Sequence, residues 1–280
     1  MFFSKTPIVS VALVAYKHEK FIEQCIKSIL EQRGDFKLQL MIFDDASPDD
    51  TVLAIEKCLS GVCLPKHVEI KKFYSKMNLG FPKAPLYSFA IQQRGNADYI
   101  CRIEGDDFWC SPDRIQRHIC FLKEHPQCQM SFNAMDLYYD ESGIRKLHPE
   151  HLRCINEKVD YIDAQRMSRG NPIGSVNCCF YRGEVIRNFP EYIKSLCCTD
   201  WARHFTISLR GNIGFLHDVM SVYRIHESGI WSGRQGEAKS NPSTDLIKFM
   251  KYVEMEYPSV YRMGFENFLQ TFYPNRTVNL

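Results

Sequence analysis

The 280-residue chain has no Cys-x-x-Cys pair, no G-x-G-x-x-G stretch, no internal repeat, no low-complexity linker and no apolar run long enough to cross a bilayer. Each absence removes a class of protein. Twelve cysteines are many for this length, but without knuckle spacing they do not read as a zinc module. The adjacent pairs Cys178-Cys179 and Cys197-Cys198 suit no ordinary disulfide ladder. Most cysteines lie in apolar runs, as Cys25, Cys101 and Cys120 do, where a free thiol acts as a small hydrophobe. That usage points to a reducing, cytosolic compartment. The net charge of only +2 supplies no bulk argument for nucleic acid as a partner. The first apolar run, Ile8 to Tyr16, lacks a small-residue cleavage site and is too short for a span, so a buried strand is expected there. What remains is a globular protein with enough apolar residues for one large core, as a single domain or a domain with an appendage.

The stretch the chain is organised around is Asp98-Tyr99-Ile100-Cys101-Arg102-Ile103-Glu104-Gly105-Asp106-Asp107-Phe108-Trp109. A short strand-like run ends in three carboxylates, Glu104, Asp106 and Asp107, around a glycine that permits a tight bend. Carboxylates this close repel and raise one another's pKa unless a cation or donor neutralises them. Mg²⁺ or Mn²⁺ is the usual neutraliser of an all-oxygen cluster. The alternative is a solvated acidic turn that caps the next helix.

Around it the pattern alternates. Ile8 to Ala15 reads as a strand buried on both faces. After the polar loop Tyr16 to Lys20, the residues Phe21, Ile22, Cys25, Ile26, Ile29 and Leu30 recur at helical spacing, with Gly34 as a stop. A second strand, Leu38 to Phe43, enters Asp44-Asp45-Ala46-Ser47-Pro48-Asp49-Asp50-Thr51. Ser47 as N-cap, Pro48 at the first position and Asp50 at the third explain the end of this stretch as helix-start chemistry. Asp44 and Asp45 precede the cap and lie where ligands meet an α/β sheet. A third strand (Val68 to Tyr74), a turn at Asn78 to Lys83 and a helix from Ala84 to Gln93 lead to the acidic strand. A fourth helix follows Ser111-Pro112-Asp113, with Ile115, Ile119 and Leu122 as its apolar stripe. This β-α alternation predicts a mainly parallel sheet with helices on both faces. The second half is less regular. Strands are expected over Gln129–Tyr139, Gly174–Tyr181 and Ile213–Arg224, a helix over Thr199–Leu209, and one or two amphipathic helices within 242–280. Residues 144–160 carry no clear pattern.

Several separated segments resemble one family, the inverting family 2 glycosyltransferases of the GT-A fold. Pro7 to Val11 through Ser28 to Gln32 looks like the family's opening strand and helix. Ile42 to Thr51 is similar to its DD-G-S-x-D-x-T segment, and Asn78-Leu79-Gly80 to its N-x-G turn. Glu104-Gly105-Asp106-Asp107 stands where the family has a D-x-D-D metal motif, and Cys198-Thr199-Asp200-Trp201 resembles its E-D motif. The resemblance implies a GT-A, Rossmann-like α/β fold: a nucleotide-sugar half over 1–110, an acceptor-binding, catalytic half over 111–235, and a C-terminal helical extension over 236–280. It implies donor contacts from Ala15, Tyr16, Glu19, Asp44, Asp45, Asn78, Gly80, Glu104, Asp106 and Trp231. It further implies Mn²⁺ or Mg²⁺ on Asp106, Asp107 and His226, and Asp200 as general base. The segment Gly229 to Gly233 would close over the donor. Two departures stand out: Glu104 replaces the first Asp of the metal motif, and Thr199 replaces the Glu before the base.

The chemistry so implied is transfer from a nucleotide diphosphate sugar, expected to be a UDP-sugar, to a hydroxyl of a glycan or lipid-linked acceptor. A cation neutralises the leaving diphosphate and a carboxylate takes the acceptor's proton, with inversion in a single displacement. The implied setting is bacterial surface polysaccharide assembly, such as lipopolysaccharide, in the cytoplasm or at the inner face of its membrane. A peripheral membrane contact and a homodimer stay open. One rival is a sugar nucleotidyltransferase, which wants a glycine-rich basic loop where Tyr16 to Lys20 has no glycine. The other is a non-catalytic sugar-nucleotide-binding protein.

Overall fold

β1 (Ile8–Ala15) is buried along almost its whole length, which is what its run of Val, Ala and Leu requires of a strand covered on both faces. It pairs in parallel with β2 (Lys37–Asp44) on one side and β4 (Tyr99–Glu104) on the other. In the computed structural model, residues 5–80, 83–190, 200–229, 243–257 and 260–276 are described, apart from the side chains of Pro85 and Leu86. β3 (Val68–Tyr74) pairs in parallel outside β2 and forms the sheet edge, where exposed Glu69, Lys71 and Lys72 discourage further pairing. Helices α1 (Ile22–Leu30), α2 (Thr51–Ser60), α3 (Lys83–Arg94) and α4 (Arg114–Glu124) alternate with these strands and with the two-residue β5 (Phe108–Trp109). The apolar stripe of α1 is buried as its spacing predicts, at Ile22, Cys25, Ile26 and Ile29.

The helix starts differ from the capping expectation. α2 begins at Thr51 with Asp50 as N-cap, so Ser47 and Pro48 belong to the loop. The Ser47 hydroxyl is taken instead by Asp44 and by the backbone of Lys17. α4 begins after Asp113, whose side chain makes no capping bond.

The second half adds β6 (Cys128–Tyr139), β7 (Ile144–Leu147), α5 (Pro149–Asn156), β8 (Tyr161–Ile162), α6 (Ala164–Arg169), β9 (Cys179–Arg182), α7 (Gly183–Arg187), α8 (Asp200–Ser208), β10 (Asn212–Ile225), α9 (Thr244–Glu256) and α10 (Arg262–Phe272). The patternless stretch 144–160 is thus β7, hairpinned onto β6, and α5. The expected strand over 174–181 is shorter, because a 3-10 turn at Val176–Cys178 precedes β9. The sheet runs β3-β2-β1-β4-β9-β6-β10-β5, with β9 antiparallel to both neighbours and β10 parallel to β6. The mainly parallel α/β reading therefore holds, with antiparallel additions in its second half.

Two apolar clusters make up most of the core. One lies around β1, β2, β4, α1 and α4. The other gathers α6, α8, α9 and α10 against β6, β9 and β10. Trp201 is the centre of the latter. Its ring stacks on Phe268 at 4.4 Å and meets Phe249 and Phe265 edge-on, and its Nε1 donates to the carbonyls of Met167 and Gly170. Burying such a ring with its one polar atom satisfied stabilises by a few kcal/mol. It also fixes the first turn of α8, where Asp200 stands. Among the described residues no helix is long and apolar enough to cross a membrane.

Candidate active site

The carboxyl ends of β1, β2, β4 and β10 open on the same edge of the sheet. The loops after β1 and β2 are fastened to each other there. Asp45 N donates to the Ala15 carbonyl, Lys17 N to Ser47 Oγ, His18 N to Thr51 Oγ1 and Glu19 N to Asp49, while Asp50 N donates to the Glu19 carboxylate. Lys17 and Ala46 hold positive φ of 60° and 55° in these loops, an arrangement kept only where neighbours over-determine the backbone. Asp44 accepts from Ser47 N and Ser47 Oγ at 2.9 and 2.5 Å. Asp45 accepts from Leu79 N and Gly80 N at 2.7 and 2.8 Å, and its carbonyl takes Asn78 Nδ2. Gly80, at φ 68°, supplies the left-handed residue this turn needs. Asp45, Asn78 and Gly80 thus form one unit. Each aspartate keeps lone pairs beyond those its protein donors use.

At the end of β4, Gly105 leaves no space for a side chain. A Cβ there would stand 2.7 Å from His18 Nδ1 and 2.8 Å from Ile22 Cδ1. The bend turns Asp106 toward two histidines. His226 Nε2 is 3.1 Å from Asp106 Oδ2 and His18 Nε2 is 3.6 Å from the same oxygen. Burial pushes the Asp106 carboxyl up, but the charge of His18 and the hydrogen bond from His226 outweigh it and hold it below its ordinary value.

Asp107 does not join this group. It points into the protein, where Oδ2 accepts from Asn177 Nδ2 at 2.8 Å and Oδ1 from Arg224 N at 2.9 Å. Burial and then the charge of Asp106 drive its carboxyl well above the usual range. Glu104 is likewise raised by burial, against the pull of Arg102 Nη2 at 2.5 Å. Asp200 opens α8 with Arg203 Nη1 at 3.5 Å. Its charge is felt at Glu104 and Arg102. All four acids act on one phenol. Burial and then Asp107, Asp106, Glu104 and Asp200 raise Tyr223 above its ordinary pKa. Tyr16 lies in the β1 loop under the Lys17 ammonium, 5.3 Å from its ring centroid. Trp231, Thr199 and the segment beyond Gly229 lie outside the described residues.

Several contributors were not visible in the sequence. His18 reads there as part of a polar loop. Arg224 reads as the end of an apolar strand, and Asn177 as one residue of another. The one available signal was an arginine two places before His226, at the end of β10.

Asp106 Oδ2 and His226 Nε2 would give a divalent cation one carboxylate oxygen and one imidazole nitrogen, a pair that Mn²⁺ accepts. Among the described residues no group of three or more His, Cys, Asp and Glu gathers to hold a metal alone. A cation held by this pair would take its remaining positions from phosphate oxygens and water. The buried Nδ1 of His18, with no protein partner, adds a polar atom beside that place.

This constellation at the strand ends of an α/β sheet is the architecture of a nucleotide-sugar-dependent transferase class. The sequence matches the model of "Glycosyl transferase family 2" over residues 10–189, more than half of the chain. The chain belongs to that family of glycosyltransferases; the match ends before Asp200 and His226. An uncharacterised protein of Mycobacterium tuberculosis (strain H37Rv) is 25% identical over 227 residues, covering 80% of this chain and 60% of the relative. The amylovoran biosynthesis glycosyltransferase AmsE of Erwinia amylovora is 24% identical over 220 residues, 77% of this chain and 75% of AmsE. Among solved structures, Staphylococcus aureus TarS 1–349 with UDP-GlcNAc superposes with TM-score 0.66 at 16% identity, over 97% of this chain and 74% of TarS. The mannosyltransferase PcManGT of Pyrobaculum calidifontis, with GDP-Man and Mn²⁺, gives TM-score 0.59 at 16% identity, over 81% and 59%. The chain spans 60% of the length of the mycobacterial relative.

Proposed function

We propose that the protein transfers a sugar from a nucleotide diphosphate sugar to a hydroxyl of a glycan or lipid-linked acceptor, with inversion. The observation that carries this reading is the Asp106–His226 pair, set at the strand ends beside the interlocked β1 and β2 loops. In it, Ala15, Tyr16, Glu19, Asp44, Asp45, Asn78 and Gly80 form the nucleoside side of the pocket. A carboxylate such as Asp45 accepts from the N–H of a base, and its rigid seat on Leu79 and Gly80 keeps it pointed. UDP is the preferred donor nucleotide; the co-crystallised donors of TarS (UDP-GlcNAc) and PcManGT (GDP-Man) make both bases part of the test.

Asp106 and His226 would hold Mn²⁺ or Mg²⁺, with Mn²⁺ favoured by the imidazole. When bound, the cation neutralises the charge that grows on the departing diphosphate. Asp107, whose carboxylate is occupied by Asn177 Nδ2 and Arg224 N, ties β10 to the acidic bend in this reading rather than holding the cation. Asp200, at the start of α8, takes the acceptor proton as its oxygen attacks. Its carboxylate is held by Arg203 and shares the field of Arg102 and Glu104. The two substrates meet between these halves, and their alignment lowers the barrier by removing their relative freedom. AmsE, named for amylovoran biosynthesis, makes a polysaccharide acceptor the first class to try.

The test is a panel of UDP- and GDP-sugars incubated with Mn²⁺ and candidate glycans, with the product's anomeric configuration read by NMR. Inverted product that requires Asp200 supports the reading. Retained configuration would exclude single displacement, and metal-dependent nucleotide binding without turnover for any donor would favour a binding protein.

A further inference from the structure

We propose that Arg224 is a positioning residue that sets the Asp106–His226 geometry, and that it does so from two anchors outside the site, Gln24 on α1 and Asp140 at the end of β6. The inference rests on the proposed cation and diphosphate site and goes beyond it.

Arg224 is buried and its donors diverge. Nε donates to the Asp106 carbonyl at 2.8 Å, Nη1 to Asp140 Oδ1 at 2.5 Å and Nη2 to Gln24 Oε1 at 2.5 Å. Its own amide donates to Asp107 Oδ1 at 2.9 Å. One residue thus grips the backbone of the first aspartate and the side chain of the second. The guanidinium carbon lies 4.7 Å from the Phe21 ring centroid, 5.1 Å from Tyr138 and 5.5 Å from Phe108. Phe21 in turn lies 4.7 Å from the His226 ring. The hydrogen bonds and the stacking therefore converge on the two residues that would hold the cation. The Asp140 amide also donates to the Ile225 carbonyl, which pins the strand between Arg224 and His226.

The alternative is that Arg224 simply glues β10, α1 and β6 together. Two features argue for positioning. Its bond to the site goes to the Asp106 carbonyl, so a shift of the guanidinium rotates the peptide from which the Asp106 carboxylate hangs. Its partners also come from three separate elements, a planar fork that a lysine's single point charge cannot reproduce. The guanidinium is buried, so it works through Asp106 and His226.

The experiment measures Mn²⁺ affinity at fixed UDP, from the EPR signal of free Mn²⁺, in wild type, Arg224→Lys, Asp140→Asn and Gln24→Met. Melting temperature and near-UV circular dichroism of each variant are read in parallel. Outer partners of metal ligands typically change affinity about 10–100-fold. Arg224→Lys is expected in that range, and the two anchor variants are expected to weaken Mn²⁺ several-fold while remaining folded. In the double variant Arg224→Lys, Asp140→Asn the second change should add little, because both act on one guanidinium. If Arg224→Lys does not fold, the anchor variants still decide. Anchor variants that lose thermal stability but bind Mn²⁺ as wild type does would overturn the proposal and leave Arg224 as structural cement. A folded wild type that binds no Mn²⁺ with UDP would instead overturn the site reading itself, and this inference with it.

Discussion

His226 Nε2 lies 3.1 Å from Asp106 Oδ2 although 120 residues separate them in the chain. The contact joins the end of β10 to the bend after β4, and in the proposed reaction it marks where the diphosphate's charge would be neutralised. Asp106→Asn removes the anionic oxygen with little change of shape. Transfer should fall by about 10²–10³, the usual scale for losing one preorganised electrostatic group. Steady-state rates with saturating Mn²⁺ check this, and full activity in Asp106→Asn would remove the residue from the site.

Asp200→Asn tests the other half. The expected loss in kcat is about 10²–10⁴, with donor affinity unchanged, because in the proposed reaction the residue takes the acceptor proton rather than meeting the nucleotide. The relevant comparison is donor Kd by calorimetry against kcat. A weakened donor Kd with normal kcat would assign Asp200 to binding.

Asp45→Ala leaves Leu79 N and Gly80 N without their acceptor. The loss should appear in both stability and nucleotide affinity. Orphaning such donors costs about 1–3 kcal/mol, less where water reaches them. Urea unfolding and nucleotide titration on the same variant separate the two effects.

Acid sensitivity should come from buried histidines. His151 Nδ1 accepts from Met135 N at 2.9 Å and Nε2 bonds the Ile173 carbonyl at 3.0 Å, so the neutral ring fills both bonds. Burial, and then the neighbouring His148, lowers its pKa to about 3; burial lowers His148 to about 4. A folded pKa below the unfolded one means the stabilisation is complete above pH ~6.5 and is lost as pH falls toward the folded value. The melting temperature should therefore drop steadily from pH ~6.5 to ~4, and His151→Gln should flatten that limb. A profile unchanged by the substitution would mean that other groups control it.

Much of the fold was legible because β1, β2 and β4 are apolar runs bounded by polar loops, and α1 and α4 carry clear stripes. The antiparallel β9 was blurred because Val176–Cys178 is as apolar as the strand it precedes. Asp106 and Asp45 stood out as carboxylates at strand ends, whereas His226 was singled out only by the family resemblance. The inward turn of Asp107 was not, since adjacent carboxylates look alike until Asn177 and Arg224 N are seen on one of them. Ser47 misled in the same way: its hydroxyl suits a helix cap, but Asp44 and Lys17 N claim it first. Arg224 was hidden because its partners, Gln24, Asp106 and Asp140, come from three separate segments.

The most direct test of the central claim is a thermal shift of wild type and Asp106→Asn with a UDP-sugar panel, each with and without Mn²⁺. Ligand at about 100 times Kd stabilises by ~2.7 kcal/mol, which raises the melting temperature by roughly 5 °C in a chain of this size. The account predicts a shift that needs both one nucleotide sugar and Mn²⁺ and is lost in Asp106→Asn. A shift of equal size without Mn²⁺, or one that survives in Asp106→Asn, would contradict it.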